Sequence, residues 1–547
     1  MKDNIDPFAV TDAFTDLHRA WQQDREALIQ CCRSLNTAMQ ATHQKVLDHL
    51  QTTSKDPPDD GMELLMNWIG NLSWTSRQYY HVLCEWLTYY VDHAPKLPRD
   101  TKHKVRFWVH QIQAMLEPDN FFWANPKAVQ RFFESGGESL HLGLRQWMND
   151  LESNNGLVSL ADQGRFEVGR DLAVTAGQVV FRNGLMELIQ YAPQTAKVRK
   201  TPIVLVQPWI NKYYIFDLSP RNSFVAYLVG QGYSVFITSW KNPGPEMRDT
   251  SFADYMLKGA LQAVNVACEV CRSPQVHLAG YCIGGTLIAS LMGWLAHEPP
   301  PSPVADVTLF STLLDFSNPG DLAALIHPKA MAAIEKSMSD NGILDEHQIA
   351  AAFRLLNPGD LIWRYVVNNY FCGEAPPKSD MLYWNSDSTS LPESMCLFYL
   401  KSFYLENRII RPNALQIGGR AIDLKKVRTP FYIVGAAKDH ICPWPSTFQT
   451  CRLVGGKARY VLADEGHITG IVNPPSRWSK KRYWAGAATR LRDAQKWLDK
   501  KAPLKGSWWP DWIQWLGPRS GDSVPPPPMG SETYPPLGPA PGTYVHE

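Results

Sequence analysis

A surplus of either charge is missing from this 547-residue chain: 54 Lys and Arg face 53 Asp and Glu, a net charge of +1. So balanced a chain has no global field to gather nucleic acid or an anionic membrane. Long apolar runs are missing too, since no stretch reaches the ~18 apolar residues that a membrane span needs. The opening Met1-Lys2-Asp3-Asn4-Ile5-Asp6 has early acidic residues and no apolar core, which argues against a signal peptide. Cysteine is sparse, at positions 31, 32, 84, 268, 271, 282, 372, 396, 442 and 451. That lacks the density and regular spacing of a secreted disulfide scaffold, so reduced thiols in a cytosolic compartment are expected. Cys268-Glu269-Val270-Cys271 has the form of half a zinc or redox site, but no second pair follows at suitable spacing, and no metal is expected. There is no G-x-x-x-x-G-K-[ST] phosphate loop and no internal repeat.

What is present is length and aromatic bulk. A chain of this size exceeds one ordinary domain. Its 20 Trp point to a large packed core and would also suit an apolar substrate. Val10, Phe14, Leu17, Trp21, Leu28, Leu35, Met39 and Val46 recur at helical spacing and predict one long amphipathic first helix, able to pack on another helix, a partner or an apolar surface. Asp56-Pro57-Pro58-Asp59-Asp60-Gly61 breaks that pattern before two further helical stretches near 62–93 and 101–116. Residues 1–180 therefore read as a mostly helical domain.

After Val179 the character changes. Short β-rich runs at 203–206, 234–237, 276–279 and 431–434 are separated by segments long enough for crossover helices, which predicts a mainly parallel, buried sheet. The rhythm lapses over about 310–425, as it would for an insertion capping the sheet's active edge. The α/β domain is placed at 181–518. A Pro-rich tail at 519–547 favours extended or irregular backbone over packed structure.

The chemistry concentrates in Gly280-Tyr281-Cys282-Ile283-Gly284-Gly285. An apolar run precedes it and a helix-forming stretch follows. This is the context of the G-x-S-x-G nucleophile elbow, with cysteine in the serine position. A helix starting at Ile283 aims free N–H groups and its positive dipole end at the sulfur, favouring thiolate. The Ile283 N–H is one candidate oxyanion donor, and a second is expected around Trp209 and Ile210, in the loop after strand 203–206. An acid and a base should follow in that order. Asp439 follows strand 431–434, and His467 follows Gly466 after a strand around 458–462. His467 is assigned as general base, Asp439 as the group that orients it and stabilises the imidazolium, and His440 as a supporting neighbour. The expected fold is an α/β-hydrolase fold with an inserted cap, preceded by the helical domain.

A cysteine nucleophile narrows the acceptor. Exchange of one thioester for another keeps the acyl group activated, so an alcohol can then take it with a favourable drop in free energy. Cys-His-Asp thus suits acyl-CoA-dependent ester formation better than hydrolysis.

Over about residues 100–515 the chain resembles the class I polyhydroxyalkanoate synthases. The resemblance rests on Pro208-Trp209-Ile210-Asn211-Lys212-Tyr213-Tyr214, the Cys282 elbow with Gly285-Thr286, Leu313-Leu314-Asp315-Phe316, and Tyr383-Trp384-Asn385-Ser386-Asp387. It continues through Asp439-His440-Ile441, Gly466-His467-Ile468-Thr469-Gly470, Asn473-Pro474-Pro475 and Gly506-Ser507-Trp508-Trp509-Pro510. The resemblance implies polymerisation of (R)-3-hydroxyacyl-CoA into polyester by the Cys282, Asp439 and His467 triad, with CoA thioester as substrate and no cofactor. It further implies a functionally important Trp384 in the cap, a homodimer, and work in the cytoplasm at the surface of a polymer granule, among granule-associated proteins. The residues around Cys282 look like the short-chain pattern of the family. Trp209, where a smaller residue is common, and Ala436-Ala437-Lys438 before the aspartate depart from it and bear on the acyl pocket and oxyanion loop. A thioesterase or polyester depolymerase with the same triad, and a granule-bound scaffold without chemistry, are the competing readings.

Overall fold

A computed structural model of the protein describes residues 6–53 and 60–547. They fall into two units, Met1–Asp162 with Ala350–Lys378, and Gln163–Ile349 with Ser379–Glu547.

The first unit is helical: α1 (Val10–Gln22), α2 (Arg25–Thr53), α3 (Gly61–Asp92), α4 (Arg99–Leu116), α5 (Pro126–Glu134) and α6 (Glu138–Ser153). The single long first helix expected from the apolar stripe is in fact two. Asp24 separates them, its Oδ1 accepting the Ala27 N–H at 3.0 Å, so the carboxylate supplies a cap that periodicity does not reveal. Leu17, Trp21 and Val46 of that stripe face inward, as does Cys31 beside it. Trp21 stacks on Tyr90 with centroids 4.9 Å apart and donates its indole N–H to the Tyr90 carbonyl at 3.1 Å. Of the Pro-rich break, Asp56 to Asp59 lie outside the described residues; Asp60 caps α3, accepting the Met62 N–H at 3.1 Å. Residues 350–378 return to this unit through Arg354, which donates to the Val158 carbonyl at 2.6 Å, and Tyr370, whose hydroxyl donates to Asp150 at 2.7 Å.

The second unit is built on one sheet. Its strands are β1 (Gly177–Arg182), β2 (Met186–Tyr191), β3 (Ile203–Val206), β4 (Val235–Trp240), β5 (Val276–Tyr281), β6 (Val304–Phe310), β7 (Phe431–Ala436), β8 (Ala458–Ala463), β9 (Arg482–Ala487), β10 (Leu504–Lys505) and β11 (Gly538–Pro539). Their order is β10-β9-β8-β7-β6-β5-β3-β4-β2-β1-β11. The six central strands, β8 to β4, are parallel and the outer ones antiparallel. Both faces are covered. Val204 and Val206 of β3 belong to one apolar layer, which contains Leu287 and Leu291 of the helix Ile283–Leu295. Ile203 and Leu205 belong to the other, with Phe224, Trp508, Trp509 and Trp512. This is why the strands read as unbroken apolar runs rather than alternating ones.

The insertion lies between β6 and β7, and part of it, 350–378, joins the helical unit, an interleaving that no local pattern announces. The sheet also begins earlier than the expected boundary at 180, with β1 at Gly177. The Pro-rich tail departs from expectation: its backbone is extended, but it packs. β11 pairs with β1, Val545 is buried, and the carboxylate of Glu187, fully buried on β2, accepts the N–H groups of Thr543 and Tyr544 at 2.9 and 3.1 Å. A buried carboxylate has to be satisfied, and the tail supplies the donors. Lys212 Nζ donates to the backbone oxygens of Tyr544 and Glu547. Among the described residues no helix is long and apolar enough to cross a membrane.

Candidate active site

Cys282 stands between β5 and the helix Ile283–Leu295 with φ 51° and ψ −122°, a strained backbone for a non-glycine residue. The turn is that tight because its neighbours lack side chains. A Cβ on Gly284 would lie 2.5 Å from the Val206 carbonyl oxygen, and one on Gly280 would lie 2.7 Å from the Gly285 backbone. The Cys282 N–H is held by the Phe310 carbonyl at 2.9 Å, and its carbonyl accepts the Thr312 hydroxyl at 3.2 Å. The first N–H groups of the following helix have no acceptor within it and open at this turn.

Asp439 and His467 converge on the same place from the ends of β7 and β8. Asp439 Oδ2 takes His467 Nδ1 at 2.7 Å, while Oδ1 accepts the Ile441 and Cys442 N–H groups at 3.0 and 2.7 Å. Three donors thus fix the carboxylate, and it fixes the ring, whose Nε2 is left for sulfur. Trp508 and Trp509 hold the histidine loop by donating indole N–H groups to the Gly470 and Ile471 carbonyls at 2.9 and 3.0 Å. The Tyr281 ring lies 5.3 Å from the His467 ring. His440, the aspartate's neighbour, has its carbonyl bonded by the Asp321 N–H at 3.0 Å.

A residue that sequence reasoning missed completes the cluster. Cys442 Sγ, Cys282 Sγ and a His467 ring nitrogen all lie within 4.8 Å of one another, and Cys442 is buried. The only available signal was its position three residues past the acid, on the same loop. These three are the one group of His, Cys, Asp or Glu among the described residues placed closely enough to hold a metal ion, and an ion there would consume the thiolate.

The electrostatics separate Cys282 from the other thiols. The Cys442 thiol's hydrogen bond and the His467 imidazolium bring Cys282 down to about 5 against the opposing effect of burial. Burial works to lower His467, but the charges of Asp439 and Cys282 hold it up at about 10. The two shifts run in opposite directions, and together they favour a thiolate beside an imidazolium. Burial instead pushes Cys268 and Cys271 up to about 11 and about 12, so that C-x-x-C stays neutral.

The second predicted oxyanion segment is clamped by the insertion. Thr389 donates its N–H to the Ile210 carbonyl at 2.8 Å and its hydroxyl to the Trp209 carbonyl at 2.7 Å. Trp384, buried on the helix Asp380–Ser386, donates its indole N–H to the Lys212 carbonyl at 2.7 Å. Trp384 therefore supports the 209–212 loop and gives its only side-chain hydrogen-bond donor to that backbone. Trp209 is itself buried, with Tyr255, Trp240 and Phe252 ring centroids 4.7, 5.9 and 6.2 Å away.

A second Ser-His-Asp chain occurs near the opposite ends of the same strands. His277 bonds Asp306 at 2.8 Å and Ser520 Oγ at 3.1 Å. Ser520 is fully buried and donates to the Leu516 carbonyl at 2.9 Å, so it presents no face to a substrate.

Residues 66–228 match the family model for the N-terminus of poly-beta-hydroxybutyrate polymerase, and residues 202–474 match that for the alpha/beta hydrolase fold. The chain is similar to the poly(3-hydroxyalkanoate) polymerase of Methylorubrum extorquens, 37% identical over 544 residues, covering 98% of this chain and 89% of that one. It is 38% identical over 485 residues to the poly(3-hydroxyalkanoate) polymerase subunit PhaC of Cupriavidus necator, covering 87% and 81%. Poly(3-hydroxyalkanoate) polymerase 2 of Ectopseudomonas oleovorans is 41% identical over 456 residues, covering 82% and 80%. With identity at this level along nearly its whole length, the chain belongs to the poly(3-hydroxyalkanoate) polymerase family.

Proposed function

We propose that the protein polymerises (R)-3-hydroxyacyl-CoA into polyester with release of CoA, through a covalent acyl-Cys282 intermediate. The observation that carries this reading is the convergence of Cys282, His467 and Asp439 at the strand ends, and the lowered Cys282 and raised His467 pKa support it.

The thiolate attacks the thioester carbonyl, and the developing oxyanion is met by backbone N–H groups, Ile283 on one side and the Ile210 loop on the other. CoA thiolate departs with the imidazolium proton, leaving His467 neutral. The 3-hydroxyl of the next unit gives its proton to Nε2 as its oxygen attacks the acyl-cysteine, and the ester forms while Cys282 leaves as thiolate. The ion pair is restored, and every proton has a donor and an acceptor. Asp439 keeps its charge throughout. No cofactor is required.

Tyr399, Phe403 and Phe316 pack together in the apolar layer that takes in Cys282, a lining suited to an acyl chain. Most of the exposed large apolar side chains lie between Ile29 and Leu151, Trp68 and Trp123 among them, in the helical unit. That unit is the segment we assign to the granule surface and to dimer formation, in a cytoplasmic setting.

Incubation of purified protein with (R)-3-hydroxybutyryl-CoA is the test. Free CoA with insoluble polyester is expected, and Cys282→Ala should abolish both. CoA accompanied only by free hydroxy acid would make the protein a thioesterase, and an undiminished rate in Cys282→Ala would remove the cysteine mechanism altogether.

A further inference from the structure

Cys442 joins the acid to the nucleophile. Its backbone N–H holds Asp439 Oδ1 at 2.7 Å, and its thiol lies within 4.8 Å of both Cys282 Sγ and the His467 ring. No hydrogen-bond duty toward Asp439 requires a sulfur side chain, because that bond comes from the main chain.

We propose that Cys282 and Cys442 form a reversible disulfide when hydrogen peroxide reaches the site, with Cys442 as the resolving thiol. The inference rests on the reading of Cys282 as the reacting thiolate.

In the first step the Cys282 thiolate attacks a peroxide oxygen. The O–O bond breaks, sulfur loses two electrons, and the departing hydroxide takes the His467 proton to leave as water, giving a sulfenic acid. In the second step Cys442 passes its proton to the now neutral His467 and attacks the sulfenyl sulfur. The S–O bond breaks, and hydroxide leaves as water with that proton. The sum is the thiolate–imidazolium pair, one thiol and one peroxide giving one disulfide, two waters and a neutral histidine, whose proton left in the first water.

Rates favour closure over further oxidation. A well-placed intramolecular partner acts at effective concentrations that reach 10⁵ M and above in good cases, roughly, whereas a second peroxide must arrive from dilute solution. Closure needs the sulfurs to reach about 2.05 Å. Both main chains are pinned, at Phe310 and at Asp439, so side-chain rotation has to supply the movement. Cys396 and Cys451 are buried neutral thiols, Cys396 raised to about 12 by burial, and neither competes for peroxide.

The experiment treats full-length protein with hydrogen peroxide in the presence of a chelator, which removes metal at the same three donors as a cause of inhibition. CoA release is followed before and after dithiothreitol, each protein normalised to its own untreated rate, with peptide mapping of the non-reduced digest. The expected result is a cross-linked peptide joining 282 to 442, and activity that is lost and then largely regained. In Cys442→Ser the loss should be permanent, with Cys282 found as sulfinic acid. Wild-type protein that yields Cys282 sulfinic acid and no cross-link overturns the proposal, as does equal recovery in Cys442→Ser. The wild-type map decides the matter even if the variant fails to fold. Activity retained by untreated Cys282→Ala would instead defeat the polymerase mechanism, so the two failures are distinguishable.

Discussion

At the scale of single residues, the proposed ion pair of Cys282 and His467 sets a pH window that can be measured. CoA release should rise as pH climbs through about 5, where Cys282 ionises, and fall beyond about 10, where His467 loses the proton that the departing CoA thiolate needs. Alkylation by iodoacetamide reads the thiolate directly. Wild-type Cys282 should react at pH 6, whereas His467→Gln, deprived of the imidazolium, should react only as pH approaches the ordinary thiol range. Asp439→Asn removes the charge that holds the imidazolium and the preferred tautomer, and should lower kcat roughly 10²- to 10⁴-fold with little change in folding temperature. The elbow and both partners were legible in the sequence, because a strand, a glycine-flanked nucleophile and an ordered acid and base leave local marks. Cys442 was not. A cysteine three residues past an aspartate looks like any small buried side chain until the fold turns it toward Cys282.

At the scale of elements, indoles hold two loops of the candidate site, 209–212 and the one that carries His467. Trp384→Phe deletes the donor to the Lys212 carbonyl, and Trp508→Phe the donor to the Gly470 carbonyl. Each leaves a carbonyl without its partner and should cost about 1–3 kcal/mol in urea unfolding. CoA-release assays should show a lower kcat in both, since one change loosens the Ile210 loop and the other the histidine loop. The parallel strands were readable because burial on two faces makes them continuous apolar runs. The outer strand β9, Arg482-Tyr483-Trp484-Ala485-Gly486-Ala487, carries charge and glycine and gave no such mark. The break between α1 and α2 was hidden because Asp24 lies off the apolar stripe that suggested one helix.

At the scale of the whole molecule, sequence order and spatial grouping part company. Residues 350–378 belong with the N-terminal helices although they lie inside the insertion, and the anchoring contacts of Arg354 and Tyr370 are too distant in sequence to be anticipated. Deleting residues 1–50 should weaken granule association, or lengthen the lag before polymerisation, while alkylation of Cys282 proceeds as before; unchanged localisation and rate would contradict the role given to the helical unit. Removing 538–547 strips Glu187 of the Thr543 and Tyr544 donors and takes the edge strand from β1. A fall in Tm is expected, measurable by calorimetry. The same tail reaches Lys212, two residues beyond Ile210. A purification handle or fluorescent reporter fused after Glu547 would therefore begin beside the loop that we propose faces the reacting carbonyl. Protein intended for kinetic work is better tagged at its other end, and turnover measured on a C-terminal fusion would describe the fusion.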